Sequence, residues 1–217
     1  MKPINPPSSL SLNSLNLTPL ILASASPRRK ELLERIGINL KIIPADVDES
    51  AVKIKDPGEH VKELAYLKAG WVAKKYPASW VLGADTIVVL QDRILGKPEL
   101  QAHAREMLKL LSNREHRVYT GYCLMNIADG PDGEPGGDII IKKSVQTLVS
   151  FKSLTDKEIA WYVSTQEPMD KAGAYGIQGI GSFLVKKISG SFTNVVGLPV
   201  CEVIEDLLKL KIVEMRG

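Results

Sequence analysis

Hydrophobic and polar positions follow strand-like and helix-like patterns in turn along most of the chain. Short apolar runs bounded by turn residues predict strands, and apolar residues that repeat with the helical period predict helices between them. In the first half, the predicted strands are 20–23, 40–44 and 80–90, and the predicted helices are 28–36, 59–75 and 99–111. Strands and helices that alternate in this way are typical of an α/β protein.

Two longer segments in the second half, 116–127 and 138–151, predict the strands of a β-hairpin. The Gly-, Pro- and Asp-rich stretch 129–137 between them predicts an exposed loop. Hairpin strands are antiparallel, whereas strands joined through helices are usually parallel. The sequence therefore predicts a mixed sheet with flanking helices.

Three further elements are predicted toward the C-terminus. Thr155-Asp156-Lys157-Glu158 has the spacing of a capping box, in which the Thr oxygen and the Glu carboxylate each accept a hydrogen bond from the other residue's amide. This motif predicts a helix that runs through residue 163. A strand over 183–188 and an amphipathic helix over 199–210 complete the pattern.

The composition favours a globular protein over a nucleic-acid-binding one. At 217 residues, with 44% hydrophobic and 24% charged residues, the chain can bury one sizeable core. Its net charge of +3 is small for this length, whereas nucleic-acid-binding proteins usually carry a clustered basic face. A stripe of alternating aromatic and basic residues is also missing, which disfavours an RNA-binding module. The sequence predicts no nucleic-acid partner.

The first 18 residues contain leucines that Ser and Asn interrupt, so they lack the continuous apolar segment of a secretory signal. We interpret residues 1–18 as a flexible leader and 19–217 as one domain with two lobes. No apolar run has the length needed to cross a bilayer. The two cysteines, Cys123 and Cys201, lack metal-type spacing. These features predict a cytoplasmic protein with reduced thiols and no membrane partner.

A candidate anion site lies at Ser24-Ala25-Ser26-Pro27-Arg28-Arg29, between a predicted strand and a predicted helix. Free amides and the positive dipole end of a helix N-terminus favour phosphate, Pro is common in the first turn, and Arg side chains add paired hydrogen bonds. Ser24, Ser26, Arg28 and Arg29 are therefore candidate substrate-binding residues. The same string also fits a Ser-capped helix with solvated arginines.

Asp85 interrupts an otherwise nearly continuous apolar strand. A buried carboxylate is costly unless a cation or a hydrogen-bond donor compensates it. The small residues before it, Gly83 and Ala84, predict open space for a ligand above the backbone. We interpret Asp85 as a carboxylate that binds a metal, activates water, or does both. The alternative is an outward-facing Asp on an edge strand.

Two lysines are further candidates for phosphate contact. Lys68 has helical spacing with Val61, Leu64 and Val72, so it projects from the apolar face of its helix. There it either reaches the rim or meets an anion in a cleft. Lys97 lies in the turn Gly96-Lys97-Pro98. Each lysine alone also fits a solvated or structural role.

The segment Asp170 to Gly179 is rich in glycine and contains Gln178. Glycines let a backbone approach a ligand closely, and a carboxamide can both donate to and accept from a nucleotide base. The acidic loop with Asp46, Asp48 and Glu49 offers metal ligands or is simply solvated.

These motifs together resemble the Maf family of nucleoside triphosphate pyrophosphatases from about residue 20 to 208. The motifs that carry the resemblance are Ser-x-Ser-Pro-Arg-Arg-x-Glu-Leu-Leu, Gly-Ala-Asp-Thr, Gly-Lys-Pro, Thr120-Gly121, Asp-Lys-Ala-Gly-Ala-Tyr-Gly-Ile-Gln-Gly and Gly-Leu-Pro. The leader and the longer 129–137 loop depart from the family pattern but touch none of these motifs. The form Ala174-Tyr175-Gly176-Ile177-Gln178 resembles the branch that acts on dTTP and UTP.

The resemblance implies a two-lobed α/β fold with a central cleft, similar to the inosine triphosphate pyrophosphatases, and usually a homodimer. It implies hydrolysis of a nucleoside triphosphate to the monophosphate and pyrophosphate with Mg²⁺ or Mn²⁺. Asp85 would be the proton acceptor, and Arg28, Thr86 and Gln178 would set specificity. The residues implied around the phosphates and metal are Arg29, Glu49, Lys68, Lys97 and Asp170, with Glu49, Asp85 and Asp170 as the metal ligands.

A nucleotide-responsive binding protein is the alternative class. Such a protein would use the arginines and Gln178 but would have no need of a carboxylate inside a strand.

Overall fold

A mixed sheet forms the centre of the computed structural model, which describes residues 10–12, 19–127 and 138–215. Its strands are β2 (Leu20–Leu22), β3 (Leu40–Ile42), β4 (Val81–Leu90), β5 (Arg93–Leu95), β6 (Glu115–Asn126), β7 (Ile139–Phe151) and β8 (Val185–Ser189). They lie in the order β3-β2-β4-β6-β7-β8, with β5 paired to β4. The predicted 129–137 loop lies outside the described residues.

Helices flank this sheet, and four of the six in the described part of the chain begin at side-chain caps. They are α1 (Pro27–Glu34), α2 (Pro57–Ala73), α3 (Gln101–Leu111), α4 (Asp156–Ser164), α5 (Phe192–Val196) and α6 (Val200–Lys209). Thr155 and Glu158 form the predicted capping box at the start of α4. Ser26, Asp56 and Ser191 cap α1, α2 and α5 through their side chains.

The strand directions confirm the predicted mixed α/β fold. Strand β2 pairs in parallel with both β3 and β4, whereas β4, β6, β7 and β8 pair antiparallel. The predicted hairpin is β6–β7, whose register runs from Glu115 opposite Ser150 to Asn126 opposite Ile139.

One edge of β4 is open in its middle. Strand β2 pairs with this edge only as far as Leu82, and β5 begins to pair at Val88. No strand among the described residues covers positions 83–87 on that edge. Asp85 and Thr86 lie in this gap. Because neighbouring residues of a strand point to opposite faces, their side chains lie on opposite faces of the sheet.

Helix α2 packs closely on one face of the sheet. A Cβ atom at Gly83 would overlap the carbonyl oxygen of Ala65, and one at Gly121 would overlap that of Val61. The interpretation of Gly83 as open space for a ligand is therefore wrong, because the backbone of α2 fills that space. The close approach brings the helix, and with it Lys68, onto Asp85.

The other face carries two hydrophobic clusters, which form the two lobes. One joins α1 and α6 to the first part of β4, around Leu33, Leu82 and Leu207. The second joins α3 and α4 to the last part of β4, around Val88 and Leu108. The open edge of β4 lies between them, so a cleft separates the two lobes.

The structure differs from the sequence prediction at several places. Residues 180–184 form a 3₁₀ turn, so β8 starts later than predicted, because Glu167 accepts the amide hydrogens of Ile180 and Gly181. Helix α5 was missed because it is only five residues long. Within the predicted leader, β1 (Leu10–Leu12) pairs antiparallel with β9 (Val213–Met215); the other residues of the leader lie outside the described ones.

Candidate active site

A cavity of about 660 Å³ occupies the cleft beside the open edge of β4. Described residues that line it include five Arg or Lys side chains and three carboxylates, so its walls carry excess positive charge. The cations are Arg28, Arg29, Lys68, Lys97 and Lys171, and the carboxylates are Glu49, Asp85 and Asp170. A cleft with this balance attracts polyanions.

The predicted helix N-terminus borders the cavity, and its serines organise it. Ser26 is the N-cap of α1, and its hydroxyl accepts a hydrogen bond from the Arg29 amide at 3.5 Å. The Ser24 hydroxyl accepts from the Ser26 amide at 3.2 Å. Both serines line the cavity. The helix start is thus held with its positive end toward the cleft.

Arg29 is a buried residue of this cavity rather than a solvated one. It donates from Nε to the Gly197 carbonyl at 2.8 Å, from Nη1 to Ser24 at 3.0 Å and from Nη2 to Thr86 at 3.0 Å. Burial lowers the pKa of Arg29 despite the nearby charge of Asp85. Three of its five donor hydrogens therefore hold the protein together, and two remain for an anion.

Thr86 extends this network across the sheet. Its hydroxyl lies 2.9 Å from the hydroxyl of Thr120, which in turn donates to the Asn194 carbonyl at 2.9 Å. Arg29, Thr86 and Thr120 thus form one chain of hydrogen bonds. Sequence reasoning placed Thr120 only in a family motif and did not single it out as part of the site.

Arg28 faces the cavity from the same helix turn but has a different environment. Its Nη1 donates to Asp170 Oδ2 at 2.8 Å, and Lys171 Nζ donates to the other oxygen, Oδ1, at 2.6 Å. Burial opposes ionisation of Asp170, but the hydrogen bonds from Lys171 and Arg28 outweigh it and lower its pKa. The sequence prediction missed Lys171 as a site residue, although it lies inside the glycine-rich segment from Asp170 to Gly179.

Asp85, Lys68 and Glu49 form an ion-paired cluster on the α2 side of the cleft. Lys68 Nζ lies 2.6 Å from Asp85 Oδ1 and 2.7 Å from Glu49 Oε1. The side chains of Lys68 and Asp85 are each only 11% exposed. Lys68 is therefore buried and already paired with two carboxylates of the protein. Asp85 is buried as well, so it is not an outward-facing residue of an edge strand.

The pKa of Glu49 is also shifted in this cluster. Burial opposes its ionisation, but the hydrogen bond and charge of Lys68, helped by Lys97 and Arg29, lower the pKa. None of the described residues donates a hydrogen bond to the second oxygen of Asp85, Oδ2. That oxygen is available to a ligand or a water molecule.

The three predicted metal ligands do not come together as one cluster. Within the described ranges no group of three His, Cys, Asp or Glu side chains could hold a metal ion. Glu49 and Asp85 converge on Lys68, whereas the Asp170 carboxylate is occupied by Arg28 and Lys171. Asp48 caps a 3₁₀ turn through the Ser50 amide. The structure does not place the Asp170 carboxylate beside Glu49 and Asp85, and its role as a third metal ligand stays a prediction.

The remaining pair of carboxylates does fit a hard divalent cation. Glu49 and Asp85 already converge on one positive charge, that of Lys68. Mg²⁺ is commonly held by one or two carboxylates, with phosphate oxygens and water completing its shell. The donor set of the site is thus sufficient for a metal that binds together with a phosphate substrate.

Gln178 lies beside the main cavity rather than in it. It lines an adjoining cavity of about 320 Å³ together with Arg28, Lys171 and Gly176, which also line the main one. Gln178 is exposed, and no hydrogen bond within the described residues uses its carboxamide. Two of the predicted specificity residues, Arg28 and Gln178, therefore line the same adjoining cavity, whereas Thr86 lines only the main one. Lys97 is exposed and lines the main cavity.

None of the helices in the described part of the chain is both long and apolar enough to span a membrane.

Comparisons with known proteins identify relatives over nearly the whole chain. A dTTP/UTP pyrophosphatase of Syntrophus aciditrophicus is 48% identical over 188 residues, covering 87% of this chain and 88% of the relative. Proteins with the same name from Geobacillus and Pyrococcus furiosus are 47% and 46% identical, covering 88% and 86% of this chain and 97% and 92% of theirs.

Among solved structures, the Ham1 protein of Staphylococcus aureus aligns with 89% of this chain and all of its own length, at 16% identity and a TM-score of 0.46. The sequence model of the family described as Maf-like protein matches residues 19–210. The chain belongs to the Maf family.

Proposed function

We propose that this protein hydrolyses dTTP and UTP to the nucleoside monophosphate and pyrophosphate. One observation carries the proposal: a carboxylate with a free oxygen, Asp85 Oδ2, is held inside a cation-lined cleft by Lys68 at 2.6 Å. Relatives that are 46–48% identical over most of the chain carry the name dTTP/UTP pyrophosphatase, which supports the same substrates here.

The triphosphate binds against the cationic wall of the cleft. Arg28 and Lys97 offer donors to the phosphates, and the N-terminus of α1 adds its positive dipole end. Arg29 is fixed by Gly197, Ser24 and Thr86, so its two remaining donors are aimed without further loss of side-chain freedom. Preorganised donors of this kind stabilise negative charge that develops in the transition state.

Asp85 acts as the general base. Lys68 holds Oδ1 at 2.6 Å, which fixes the orientation of the carboxylate. Oδ2 then accepts a proton from a water molecule that attacks a phosphorus atom of the α–β anhydride, so that the anhydride bond breaks and pyrophosphate leaves. Positioned bases contribute typically about 10²–10⁴-fold to a rate.

We further propose that Glu49 and Asp85 hold Mg²⁺ or Mn²⁺. Bound there, the cation would neutralise charge on the phosphate oxygens as it develops. The pKa of Glu49 is lowered, so this carboxylate is ionised and able to bind a metal at neutral pH.

Gln178 reads the base in the adjoining cavity. Uracil and thymine present an N3 donor between two carbonyl acceptors, and a carboxamide pairs with one donor and one acceptor of that edge. Cytosine lacks the N3 donor and replaces one acceptor with an amine, so the same carboxamide would meet a mismatch.

We expect the protein to work in the cytoplasm as a homodimer.

The direct test is product analysis. The purified protein is incubated with dTTP, UTP, CTP and GTP in the presence of Mg²⁺, and pyrophosphate is measured separately from orthophosphate. We expect pyrophosphate and monophosphate from dTTP and UTP, loss of turnover with EDTA, and restoration by Mg²⁺ or Mn²⁺. Binding of dTTP without pyrophosphate release would contradict the proposal and favour a nucleotide-binding protein.

A further inference from the structure

The loop that presents Gln178, residues 176–181, is wrapped around side chains of its own protein. We call it the Gln178 loop. A Cβ atom at Gly179 would overlap the Glu167 carboxylate, and one at Gly181 would overlap the Tyr162 hydroxyl. Gly179 and Gly181 therefore allow close packing onto Glu167 and Tyr162, while Gly176 and Gly179 also line the cavities beside the loop.

Glu167 holds the end of this loop that follows Gln178. Its Oε2 accepts the amide hydrogen of Ile180 at 2.8 Å, and its Oε1 accepts that of Gly181 at 2.9 Å. Burial opposes ionisation of Glu167, but these two amides and the Tyr162 hydroxyl outweigh it and lower the pKa. The carboxylate therefore binds the loop in its charged form, in which both oxygens accept.

Tyr162 holds the start of the loop, and its hydroxyl is itself bound to the Glu167 carboxylate. Its hydroxyl accepts the amide hydrogen of Gly176 at 3.0 Å and donates to Glu167 Oε1 at 2.9 Å. Tyr162 is fully buried, so its ring cannot follow a displaced loop. One end of the loop that carries Gln178 is thus bound directly to the Glu167 carboxylate, and the other end is linked to it through the Tyr162 hydroxyl.

Residues 167–171 also connect Glu167 to Arg28 through hydrogen bonds. Lys171 Nζ donates to the Glu167 carbonyl at 2.6 Å and to Asp170 Oδ1 at 2.6 Å. Asp170 Oδ2 accepts from Arg28 Nη1 at 2.8 Å. Glu167 itself lines the cavity shared by Arg28 and Gln178. It is therefore placed to fix the distance across that cavity.

We infer that Glu167 is a positioning residue for base discrimination: it fixes the Gln178 loop opposite Arg28, so that uracil and thymine are accepted and cytosine is not. This inference rests on the proposed function. Glu167 acts through the loop backbone and does not itself need to touch the reacting phosphates.

Glu167→Gln is the informative variant, because a carboxamide keeps one acceptor oxygen but replaces the other with a donor that faces an amide. We expect the ratio of kcat/KM for UTP to that for CTP to fall roughly 10-fold, since small displacements of a binding group can cost up to 10²-fold. The kcat for UTP should change less than its KM. The double variant Glu167→Gln with Gln178→Ala should discriminate no worse than Gln178→Ala alone, because both changes remove the same interaction.

Glu158→Gln is the matched control. Glu158 also accepts a backbone amide, from Thr155 at 2.7 Å, and it lies on α4, the helix that carries Tyr162. It contacts no residue of the Gln178 loop. The control variant should lose stability and keep the UTP-to-CTP ratio of the wild type. Hydrogen exchange at the amides of 176–181 should be faster in Glu167→Gln and unchanged in Glu158→Gln.

The outcomes separate the two claims. A wild-type protein that discriminates UTP from CTP, together with a Glu167→Gln variant with an unchanged ratio or unchanged exchange, would overturn this inference and leave the proposed function intact. Equal loss of discrimination in Glu158→Gln would overturn it as well, because the effect would then be one of general stability. A wild-type protein that releases no pyrophosphate from any of the nucleotides would overturn the proposed function and the inference with it.

Discussion

The ammonium group of Lys68 lies 2.6 Å from Asp85 Oδ1, and this contact joins α2 to β4 at the open edge of the sheet. The sequence separates the two residues by 17 positions. They meet because α2 lies almost directly on the backbone of β4, which only a residue without a side chain at Gly83 allows. The geometry of the Asp85 carboxylate therefore depends on packing of the fold as well as on its own side chain.

The close approach of α2 predicts opposite effects for two Gly-to-Ala changes. Gly83→Ala should destabilise the protein by about 3 kcal/mol, because the new methyl group overlaps backbone that cannot move independently. Gly70→Ala should stabilise it by up to about 1 kcal/mol, because this α2 residue has only ordinary contacts near its Cβ position and Ala favours helix. Urea unfolding measures both, and equal effects would contradict the packing described.

Arg28 and Arg29 should respond differently to replacement by Lys. Arg29→Lys removes a planar fork that makes three hydrogen bonds in a buried site, so we expect a loss of about 2–4 kcal/mol in the free energy of unfolding. Arg28→Lys affects a single, partly exposed ion pair and should cost less than about 1 kcal/mol.

Both variants should hydrolyse dTTP less efficiently, with the larger change in base preference for Arg28→Lys. Unfolding curves and kcat/KM for each nucleotide test this pair of expectations. Identical stabilities would show that Arg29 is not the anchored residue that its contacts indicate.

Gln178→Ala should reduce discrimination between UTP and CTP by about 10–100-fold, since an unpaired polar group costs about 1–3 kcal/mol. The maximal rate on UTP should fall less than the discrimination. Ile180→Ala, a change at an exposed position of the same loop that keeps the backbone amide bound to Glu167, is the control. Unchanged selectivity in Gln178→Ala would place base recognition elsewhere.

His116 predicts a pH dependence of the protein's stability. It is 2% exposed, its Nε2 lies 2.8 Å from the Tyr175 hydroxyl, and burial lowers its pKa from 6.5 to about 4. The unfolded chain therefore binds more protons than the folded one between these two values, and stability falls as the pH drops through them. The residue's contribution is complete above pH 6.5 and amounts to about 3 kcal/mol.

Urea unfolding of wild type and His116→Gln between pH 7.5 and 4 isolates this contribution, because Gln can still bond Tyr175 but does not titrate. The wild type should lose more stability than the variant over the window. Parallel pH profiles would show that His116 is not held neutral by the fold.

The sequence predicted the elements whose signals are local. The capping box of Thr155 and Glu158, the apolar β4 with its single carboxylate, and the β6–β7 hairpin were all predicted from nearby residues and confirmed. Contacts that depend on the fold were missed. Arg29 bonds a carbonyl 168 residues away, and nothing near it in the sequence indicates that partner.

The candidate site was predicted as a set of residues but not as an arrangement. Family motifs placed Asp85, Lys68 and Glu49 in one site, yet only the structure pairs Lys68 with both carboxylates. The family resemblance implied a metal ligand at Asp170, whereas its neighbours in space are Arg28 and Lys171. Side-chain type limits the chemistry available to a residue, and its partners in the fold decide which chemistry it performs.

Turnover of dTTP by Asp85→Asn, measured beside dTTP binding, tests the account most directly. The variant keeps the shape of the side chain and removes its basicity, so pyrophosphate release should fall about 10²–10⁴-fold while the Kd for dTTP stays close to that of the wild type. Asp206→Asn is the control. Asp206 is also a buried aspartate bound to a lysine, with Lys143 Nζ at 2.6 Å, but it does not line the cleft. It should retain wild-type turnover per folded molecule, and near-wild-type turnover in Asp85→Asn would contradict the assignment of Asp85 as the base.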